Sequence, residues 1–314
     1  MSAKNFDLVV VGDLNVDLVL TGMECMPILD REEMAADMAI TIGGSSANVA
    51  CTASRLGLKV ALVAQVGEDD FGRLLLRRVQ ASGVDTSGVI VSPHFKTGVS
   101  VAMVIEGQRG FASFTGAMGE LRFEQVDLDL VAQGRHLHTG SFYLLKHLRP
   151  RLRELFAYAR EHGLSTSLDV GDDPAQEYRQ WLPETLALTD YFVPNELELC
   201  HAAGSDDYRE AAQRVLRWTE NVIVKRGQRG SAWFNRAFQV EAPAFEVPVV
   251  DTTGAGDAYN AGLLVAILRA QTPRSALAFA NAVGGVSVGK PGGSESVSGP
   301  EEVERLLARA HTGP

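Results

Sequence analysis

The chain has 314 residues, of which 46% are hydrophobic, and its formal net charge is -10. That length and apolar content are typical of a globular enzyme with a large core, built as one α/β domain or as one domain with a small insertion. The acidic balance argues against a nucleic-acid partner, because most of the surface would repel a phosphate backbone.

Neither a membrane anchor nor a disulfide framework is indicated. No run approaches the roughly 18 apolar residues of a membrane helix, and the apolar start at 8–11 is cut short by Gly12. The cysteines at 25, 51 and 200 stand far apart and form no C-x-x-C pair, so a zinc site is not predicted either. We therefore expect a cytoplasmic protein with reduced thiols and no membrane partner.

The first predicted strand, residues 7–12, is a β-branched apolar run that ends at glycine, as in a buried parallel sheet. Residues 15–20 then alternate polar and apolar side chains, and 34–42 is a weaker strand candidate. Asn15 and Asp17 would share one strand face, where they could present an amide and a carboxylate to a polyol. Plain exposed strand positions explain the same spacing equally well.

Paired glycines, Gly43 and Gly44, precede a predicted helix that runs to Leu56. Ser46 is its predicted N-cap. Glycines permit close approach of a ligand, and Asn48 on the first turn would offer that ligand both a donor and an acceptor. A capped helix with a flexible entry is the alternative.

A second buried strand is predicted at 60–66 and a helix after it ends near residue 83. Residues 98–105 and 111–115 alternate around a turn at 106–110, which predicts a β-hairpin. Together with residues 15–42, this hairpin could build a small sheet over a ligand.

Two histidines, His136 and His138, would point the same way on a strand and so imitate a metal pair, but no third ligand stands at useful spacing. Hydrogen-bonded strand histidines are the favoured interpretation. The next predicted strand, 165–170, places Asp169 near its carboxyl end, the edge where open α/β sheets gather ligands.

A short strand then feeds a helix that opens with Asn195 and Glu198, which share a helix face. An amide and a carboxylate suit magnesium that keeps part of its water shell, although an N-cap with first-turn acids is an ordinary arrangement. Lys225, Gly227 and Gly230 follow a further strand, where spaced glycines and a cation suit a turn over phosphates. Solvated loop charge is an equal alternative.

The most informative stretch is 250–259, where a strand ends, glycines free the backbone and an apolar helix begins. Unpaired amides at a helix N-terminus form an anion site at the positive end of the helix dipole. Asp257, on the first turn, could accept a proton from an attacking hydroxyl beside a bound phosphate. A simple capping aspartate is the alternative.

The string D-T-T-G-A-G-D at 251–257 resembles the signature of the ribokinase-like (PfkB) family of carbohydrate and nucleoside kinases. The resemblance covers nearly the whole chain. It implies a single doubly wound α/β domain over 1–314, with a mostly parallel sheet flanked by helices and a β lid from insertions at about 14–42 and 95–118. In such kinases the lid often forms the dimer interface, so a homodimer through the lid is expected.

The resemblance also implies roles for individual residues. The sugar would be held by Asn15, Asp17, Gly43, Gly44 and Asn48. Mg-ATP would lie toward Asn195 and Glu198, with Asn281 near the adenine and magnesium bound through water. Asp251 and Thr253 are candidates for a monovalent cation such as K⁺. The glycine-rich stretch 284–291 is not a P-loop, because Pro291 replaces the residue that would hold magnesium.

The expected reaction moves the γ-phosphoryl group of ATP to a primary hydroxyl of a sugar. Asp257 accepts the hydroxyl proton, and the amides of Gly254, Ala255, Gly256 and Asp257 hold the developing charge. Ribokinases tend to carry Lys where this chain has Ser45, which argues against ribose as the substrate. A nucleoside kinase is the nearer alternative, and a non-catalytic sugar or nucleotide sensor is the more distant one.

Overall fold

A computed structural model describes residues 4–105, 108–290 and 293–311 of the chain. Within them lie a nine-stranded sheet with helices on both faces and a separate four-stranded sheet. The strands are β1 Phe6–Val11, β2 Asn15–Thr21, β3 Asp37–Gly43, β4 Val60–Gly67, β5 Asp85–Ser92, β6 Gly98–Ile105, β7 Gln108–Phe114, β8 Gly134–Thr139, β9 Ser165–Leu168, β10 Tyr191–Phe192, β11 Asn221–Lys225, β12 Ser231–Asn235 and β13 Gln239–Ala242.

The α-helices of the described residues vary from five to sixteen residues in length. They are α1 Ser45–Arg55, α2 Asp70–Ala81, α3 Leu128–Ala132, α4 Leu152–Glu161, α5 Leu182–Leu186, α6 Glu196–Ala203, α7 Tyr208–Val215, α8 Ala255–Leu268, α9 Pro273–Val288 and α10 Pro300–His311.

The large sheet has the order β13-β12-β11-β10-β9-β8-β1-β4-β5. Its strands are parallel from β11 through β5, and only the pairs β11–β12 and β12–β13 among the described strands of this sheet are antiparallel. β1 lies between β4 and β8, so the strands that follow it in the chain are added on both of its sides. In such sheets ligands bind outside the carboxyl ends of the strands. The predicted fold class is confirmed.

Both faces of this sheet are covered, which explains the continuous apolar run at its start. Leu8 and Val10 belong to a core cluster with α1, α8 and α9, whereas Val9 and Val11 belong to a cluster on the opposite face with α4, α6 and α7. All four side chains are fully buried. Because successive strand residues point to opposite faces, a two-sided core requires every position to be apolar.

The four-stranded sheet, which we call the lid, has the order β3-β2-β6-β7. β2 pairs antiparallel with β3 and parallel with β6, so its two halves come from distant parts of the sequence. Asp69 connects the lid to the core, because its carboxylate caps α2 at the amide of Gly72 and also accepts from the amide and hydroxyl of Thr97.

Three details differ from the sequence-based expectation or lie outside it. β5 lies at the edge of the large sheet, although its alternation is too irregular to predict a strand. The hairpin β6–β7 forms as predicted, but residues 106–107 of its turn lie outside the described residues. Pro291 also lies outside them, while α9 continues to Val288 through the glycines of the rejected P-loop.

Candidate active site

The polar residues of the site gather just beyond the carboxyl ends of four parallel strands. Asp13 follows β1, Gly140 follows β8, Asp169 follows β9, and Lys225 is the last residue of β11. α1 and α8 pack against each other over this edge. The site therefore has a rigid floor formed by strand ends and two walls formed by helix N-termini.

The N-terminus of α8 forms an open set of donors. Gly254, the N-cap, has φ 70 and ψ 5, a left-handed conformation that suits glycine, and no side chain caps the helix. The amide of Ala258 bonds to the Gly254 carbonyl, and that of Ala255 reaches the Thr252 carbonyl at 3.3 Å. Helix geometry leaves the amides of Gly256 and Asp257 without intrahelical acceptors, so they can bind an anion.

Asp257 does not cap its own helix, contrary to the simplest alternative. The Ser45 hydroxyl donates to Oδ1 at 2.7 Å, and the Asn48 amide nitrogen donates to Oδ2 at 3.0 Å. Burial raises the pKa of Asp257 to about 6, while these two hydrogen bonds act in the opposite direction. A carboxylate with a pKa close to the working pH suits a general base.

The start of α1 is organised by Asp13, a residue that the sequence analysis did not identify. Its carboxylate accepts the amides of Ser45 and Ser46, both at 2.9 Å. The predicted N-cap, Ser46, is wrong: the N-cap is Gly44, with φ 94. A carboxylate from a neighbouring strand supplies the cap because glycine has no side chain with which to do so.

The lid contributes Asn15 and Asp17, and the glycine pair lies directly beneath them. The Asn15 amide nitrogen donates to Asp17 Oδ1 at 2.9 Å. A Cβ atom on Gly43 would lie 2.1 Å from Asp17 Oδ1, and one on Gly44 would lie 2.8 Å from the Asp13 carbonyl. Burial, followed by the charges of Asp257 and Asp13, raises the pKa of Asp17 to about 7.

Lys225 forms a buried ion pair with Asp169, with 2.5 Å between Nζ and Oδ2. The Asn260 amide nitrogen donates to the same oxygen, and Oδ1 of Asp169 is buried with no partner among the described residues. A Cβ atom on Gly256 would lie 3.8 Å from Lys225 Nζ, so the ammonium borders the anion loop. Burial disfavours the charged ammonium, but the carboxylates of Asp169 and Glu198 raise the pKa of Lys225.

Asn195 and Glu198 form a reciprocal capping box at the start of α6. Asn195 Oδ1 accepts the amide of Glu198 at 2.9 Å, and Glu198 Oε2 accepts that of Asn195 at 2.7 Å. Burial first, and then the charge of Asp169, raises the pKa of Glu198 to about 7. Asn195 and Glu198 therefore do cap α6, which was the alternative to a metal site. A metal ion would have to bind the other carboxylate oxygen of Glu198, Oε1.

The oxygen atoms of Asp169 and Glu198 fit magnesium. The buried, unpartnered Oδ1 of Asp169 lies in the same charge cluster as Glu198, and both are hard oxygen donors. Among the described residues no group of three or more His, Cys, Asp or Glu side chains could enclose a metal ion. That suits Mg²⁺, which usually keeps several waters and shares its coordination with substrate phosphates.

The loop after Lys225 is a single 3-10 turn at 227–229, with positive φ at Gly227 and Gly230. A Cβ atom on Gly230 would lie 2.1 Å from the Ala242 carbonyl, so the turn packs tightly on β13. The arginines at 226 and 229 pair with Glu196, and Arg226 also pairs with Glu241. Of the three basic residues, only Lys225 faces the anion loop in these contacts.

Two further candidate residues carry structural contacts. Asn281 is buried, and its amide nitrogen donates to the carbonyls of Ala242 and Pro243, so it holds the backbone of that segment. A direct contact between Asn281 and adenine stays a prediction. Asp251 accepts the amide of Thr253 at 2.8 Å, which orders the turn before α8.

The two strand histidines are hydrogen-bonded to serine hydroxyls, as favoured from the sequence, although Nε2 of His138 is buried with no partner among the described residues. His136 contacts the hydroxyls of Ser165 and Ser167 at 2.6 and 2.7 Å, and His138 contacts that of Ser167 at 2.8 Å. Burial lowers the pKa of His136 to about 3 and that of His138 to about 4. Both rings are therefore neutral, and among the described residues no group of three or more His, Cys, Asp or Glu side chains that could hold a metal ion includes them.

Comparison with known proteins agrees with this arrangement. The family described as pfkB family carbohydrate kinase matches residues 5–299. A ribokinase of Bacillus subtilis is 28% identical over 312 residues, which cover 96% of this chain and 99% of that protein. Within the residues that the structure describes, no helix combines the length and apolarity needed to cross a membrane.

Solved structures give the same result. Ribokinase of Arabidopsis thaliana, complexed with ribose and ATP, superposes with a TM-score of 0.83 at 26% identity and covers 98% of this chain and 99% of that one. An E. coli chain given as a ribokinase II, solved with ATP and Mg²⁺, superposes with a TM-score of 0.84 at 25% identity and covers 97% and 99%.

Proposed function

Because the chain belongs to the pfkB family of carbohydrate kinases, we propose that its site transfers the γ-phosphoryl group of ATP to a primary hydroxyl of a neutral sugar. That the chain is an ATP-dependent sugar kinase follows from its family and relatives. The roles of individual residues are our proposal. The observation that carries them is the Asp257 carboxylate, held by Ser45 and Asn48 on the first turn of an uncapped helix.

Asp257 acts as the general base. The sugar hydroxyl oxygen attacks the γ-phosphorus, its proton passes to an Asp257 carboxylate oxygen, and the bond from the γ-phosphorus to the bridging oxygen breaks to release ADP. The amides of Gly256 and Asp257, with those of Gly254 and Ala255 around them, donate to the transferring group. These donors need no reorganisation, because they belong to the backbone at the start of α8.

Lys225 and the acidic residues beside it form the side of the site that faces ATP. Bound Mg²⁺ would neutralise charge on the phosphates, and Glu198, Asn195 and Asp169 are the residues that would hold it, in part through water. Lys225 borders Gly256, where it can pair with a phosphate. Gly227 and Gly230 would let the neighbouring turn approach the nucleotide. A monovalent cation at Asp251 and Thr253 stays a prediction.

Hydrogen-bond polarity supports a neutral polyol as the acceptor. The Asn15 amide nitrogen already donates to Asp17 Oδ1 and to the Val16 carbonyl, and that of Asn48 donates to Asp257. The oxygens of these amides and the Asp17 carboxyl are the acceptors left for the ligand, and the second N–H of Asn48 is the donor left, so the site offers mainly acceptors. Hydroxyl groups can supply the matching donors, whereas a sugar acid or sugar phosphate would be repelled.

We also propose a homodimer through the lid. Large apolar side chains are exposed on the lid and on the loop between β2 and β3, with Leu29 at 92% and Met34 at 74% exposure. Large apolar side chains exposed together on one part of a protein are typical of an interaction site. Leu29→Glu with Met34→Lys should shift the mass measured by light scattering from dimer to monomer, while Leu197→Glu, outside the lid, should not.

A substrate panel tests the proposed function. The enzyme is incubated with ATP and Mg²⁺ and with neutral pentoses and hexoses, sugar acids, sugar phosphates or nucleosides, and ADP release is measured. We expect turnover with at least one neutral sugar and a phosphate ester on a primary carbon by ³¹P NMR. Turnover with nucleosides alone would favour the nucleoside kinase, and nucleotide binding without any phosphorylation would favour the sensor.

A further inference from the structure

Among the described residues, Ser45 supplies the side-chain hydroxyl that donates a hydrogen bond to the proposed base. Its Oγ donates to Asp257 Oδ1 at 2.7 Å, and the Asn48 amide holds the other oxygen at 3.0 Å. The carboxylate is thus held at both ends by residues of the neighbouring helix α1. An ionised carboxylate has about four lone-pair sites, so each oxygen still has room for a substrate hydroxyl.

The position of Ser45 is itself fixed by the strand ends. Its amide donates to Asp13 Oδ2 at 2.9 Å, which holds the backbone at the start of α1. On its other side lies Gly140, where a Cβ atom would approach Ser45 Oγ to 2.7 Å. Asp13 and Gly140 follow the adjacent strands β1 and β8, so the position of the hydroxyl is set by the ends of two paired strands.

We propose that Ser45 is a positioning residue, which orients the Asp257 carboxylate toward the attacking hydroxyl and keeps it ionised in the resting enzyme. This inference rests on the proposed function, because it assumes that Asp257 is the base. A hydrogen bond to the charged form of a carboxyl favours that form. Ser45 would therefore extend activity to lower pH by acting through Asp257.

The test is the pH dependence of kcat/KM for the sugar in Ser45→Ala. Four other charged groups interact electrostatically with Asp257, namely Asp17, Asp169, Glu198 and Lys225. They are unchanged in the variant and, at fixed Mg-ATP, so is the titration of the nucleotide. Loss of a charge-assisted hydrogen bond should shift the acidic limb of the pH profile of kcat/KM to higher pH, by about one unit. At pH 5 kcat/KM should then fall about tenfold, and at pH 8 by less than about threefold.

Ser46→Ala is the matched control, because that hydroxyl lies one residue further along the same helix and contacts the Gly140 amide, not Asp257. Ser46→Ala should leave the acidic limb of the pH profile of kcat/KM at its wild-type position. Ser45→Thr keeps a hydroxyl and should also retain the wild-type position. An Asp257 carboxyl titration followed by ¹³C NMR, assigned with Asp257→Asn, should show the same displacement without any turnover. Melting temperatures show that each variant is folded.

Two outcomes separate this inference from the function on which it rests. Suppose that Asp257→Asn is nearly inactive, and that Ser45→Ala keeps both the wild-type pH profile of kcat/KM and the wild-type titration of the Asp257 carboxyl. Ser45 then has no positioning role, and the assignment of Asp257 as the base is unaffected. If Asp257→Asn turns over at a near-normal rate, both fail. If Ser45 acts only through Asp257, adding Ser45→Ala to Asp257→Asn should lower the residual rate no further, and a further tenfold loss would overturn the proposal.

Discussion

Two helices of this protein, α6 and α8, begin beside the same charge cluster, yet their N-termini differ. α6 closes its own first turn, since Asn195 and Glu198 exchange side-chain bonds with each other's amides. α8 begins at a left-handed glycine without a side-chain cap, and its first-turn acid, Asp257, is bound to α1 instead. The comparison shows that a helix dipole alone does not make an anion site, because free donors are also needed.

The largest effect is expected when the negative charge of Asp257 is removed from the first turn of α8. Asp257→Asn keeps the size of the side chain but cannot accept the hydroxyl proton, so kcat should fall by about 10²–10⁴-fold. The melting temperature and the affinity for Mg-ATP, measured by calorimetry, should change little. Near-normal turnover would show that Asp257 is a bystander at the start of α8.

Changing Gly254 to Ala tests whether the open donors require the left-handed turn. Its φ of 70 strains any L side chain by roughly 1–2 kcal/mol, and displaced amides should lower kcat by about 10²-fold. Gly163→Ala is the control, since Gly163 has φ 76 and nothing within 4 Å of the added Cβ. Both variants should lose similar stability in urea titrations. Equal losses of kcat in the two would contradict the assignment.

Lys225 lies between the two helix starts, and Lys225→Met should affect both stability and nucleotide use. The KM for ATP should rise about tenfold. The free energy of unfolding should fall by about 3 kcal/mol, because Asp169 is left buried without its ion-pair partner. Arg73→Met breaks an exposed pair with Asp70 and should change stability by less than about 0.5 kcal/mol. If the two variants melt alike, the buried pair contributes no stability.

Glu198→Gln tests the role of the charge at the start of α6. The glutamine side chain can still accept a hydrogen bond from the Asn195 amide, but it carries no charge. The Mg²⁺ concentration for half-maximal rate should rise a few-fold. The folded pKa of about 7 lies above the ordinary value of 4.5, so Glu198 stabilises the protein below pH 4.5 and that contribution is lost as pH rises through 7. Without Mg²⁺ the variant should therefore melt close to wild type at pH 5 and about 3 °C higher at pH 8. A constant difference would contradict the raised pKa.

Sequence reasoning was most successful where one segment contains the whole feature. The glycines and the apolar helix around 254–268 predicted the turn and the start of α8, and these are local properties of the chain. The alternation of 98–105 and 111–115 predicted a hairpin for the same reason. The strand expected to end at residue 250 is wrong, because β13 ends at Ala242 and no strand is formed at 243–250. Asn15 and Asp17 were correctly placed on one strand face, because side-chain direction follows directly from the strand period.

The small sheet built from 15–42 and 98–115 was expected, but most side-chain contacts between distant segments were not predicted. Asp13 caps a helix that begins 32 residues later, so the sequence analysis wrongly assigned the cap to Ser46. The contact between Ser45 and Asp257 spans 212 residues and requires the packing of α1 against α8. Lys225 was expected beside a phosphate, but its pairing with Asp169, 56 residues away, depends on the order of the strands. Local patterns contain no information about such pairings.

The parallel pairing of β2 with β6 in the lid has a consequence for how the molecule folds. Asn15 lies opposite Gly98, and the strand β4, the helix α2 and the strand β5 intervene in the chain. Bringing such remote segments together costs loop entropy that must be met before their contacts form, so this pairing should come late on the folding pathway. A chain that refolds from the unfolded state would therefore complete its sugar pocket late.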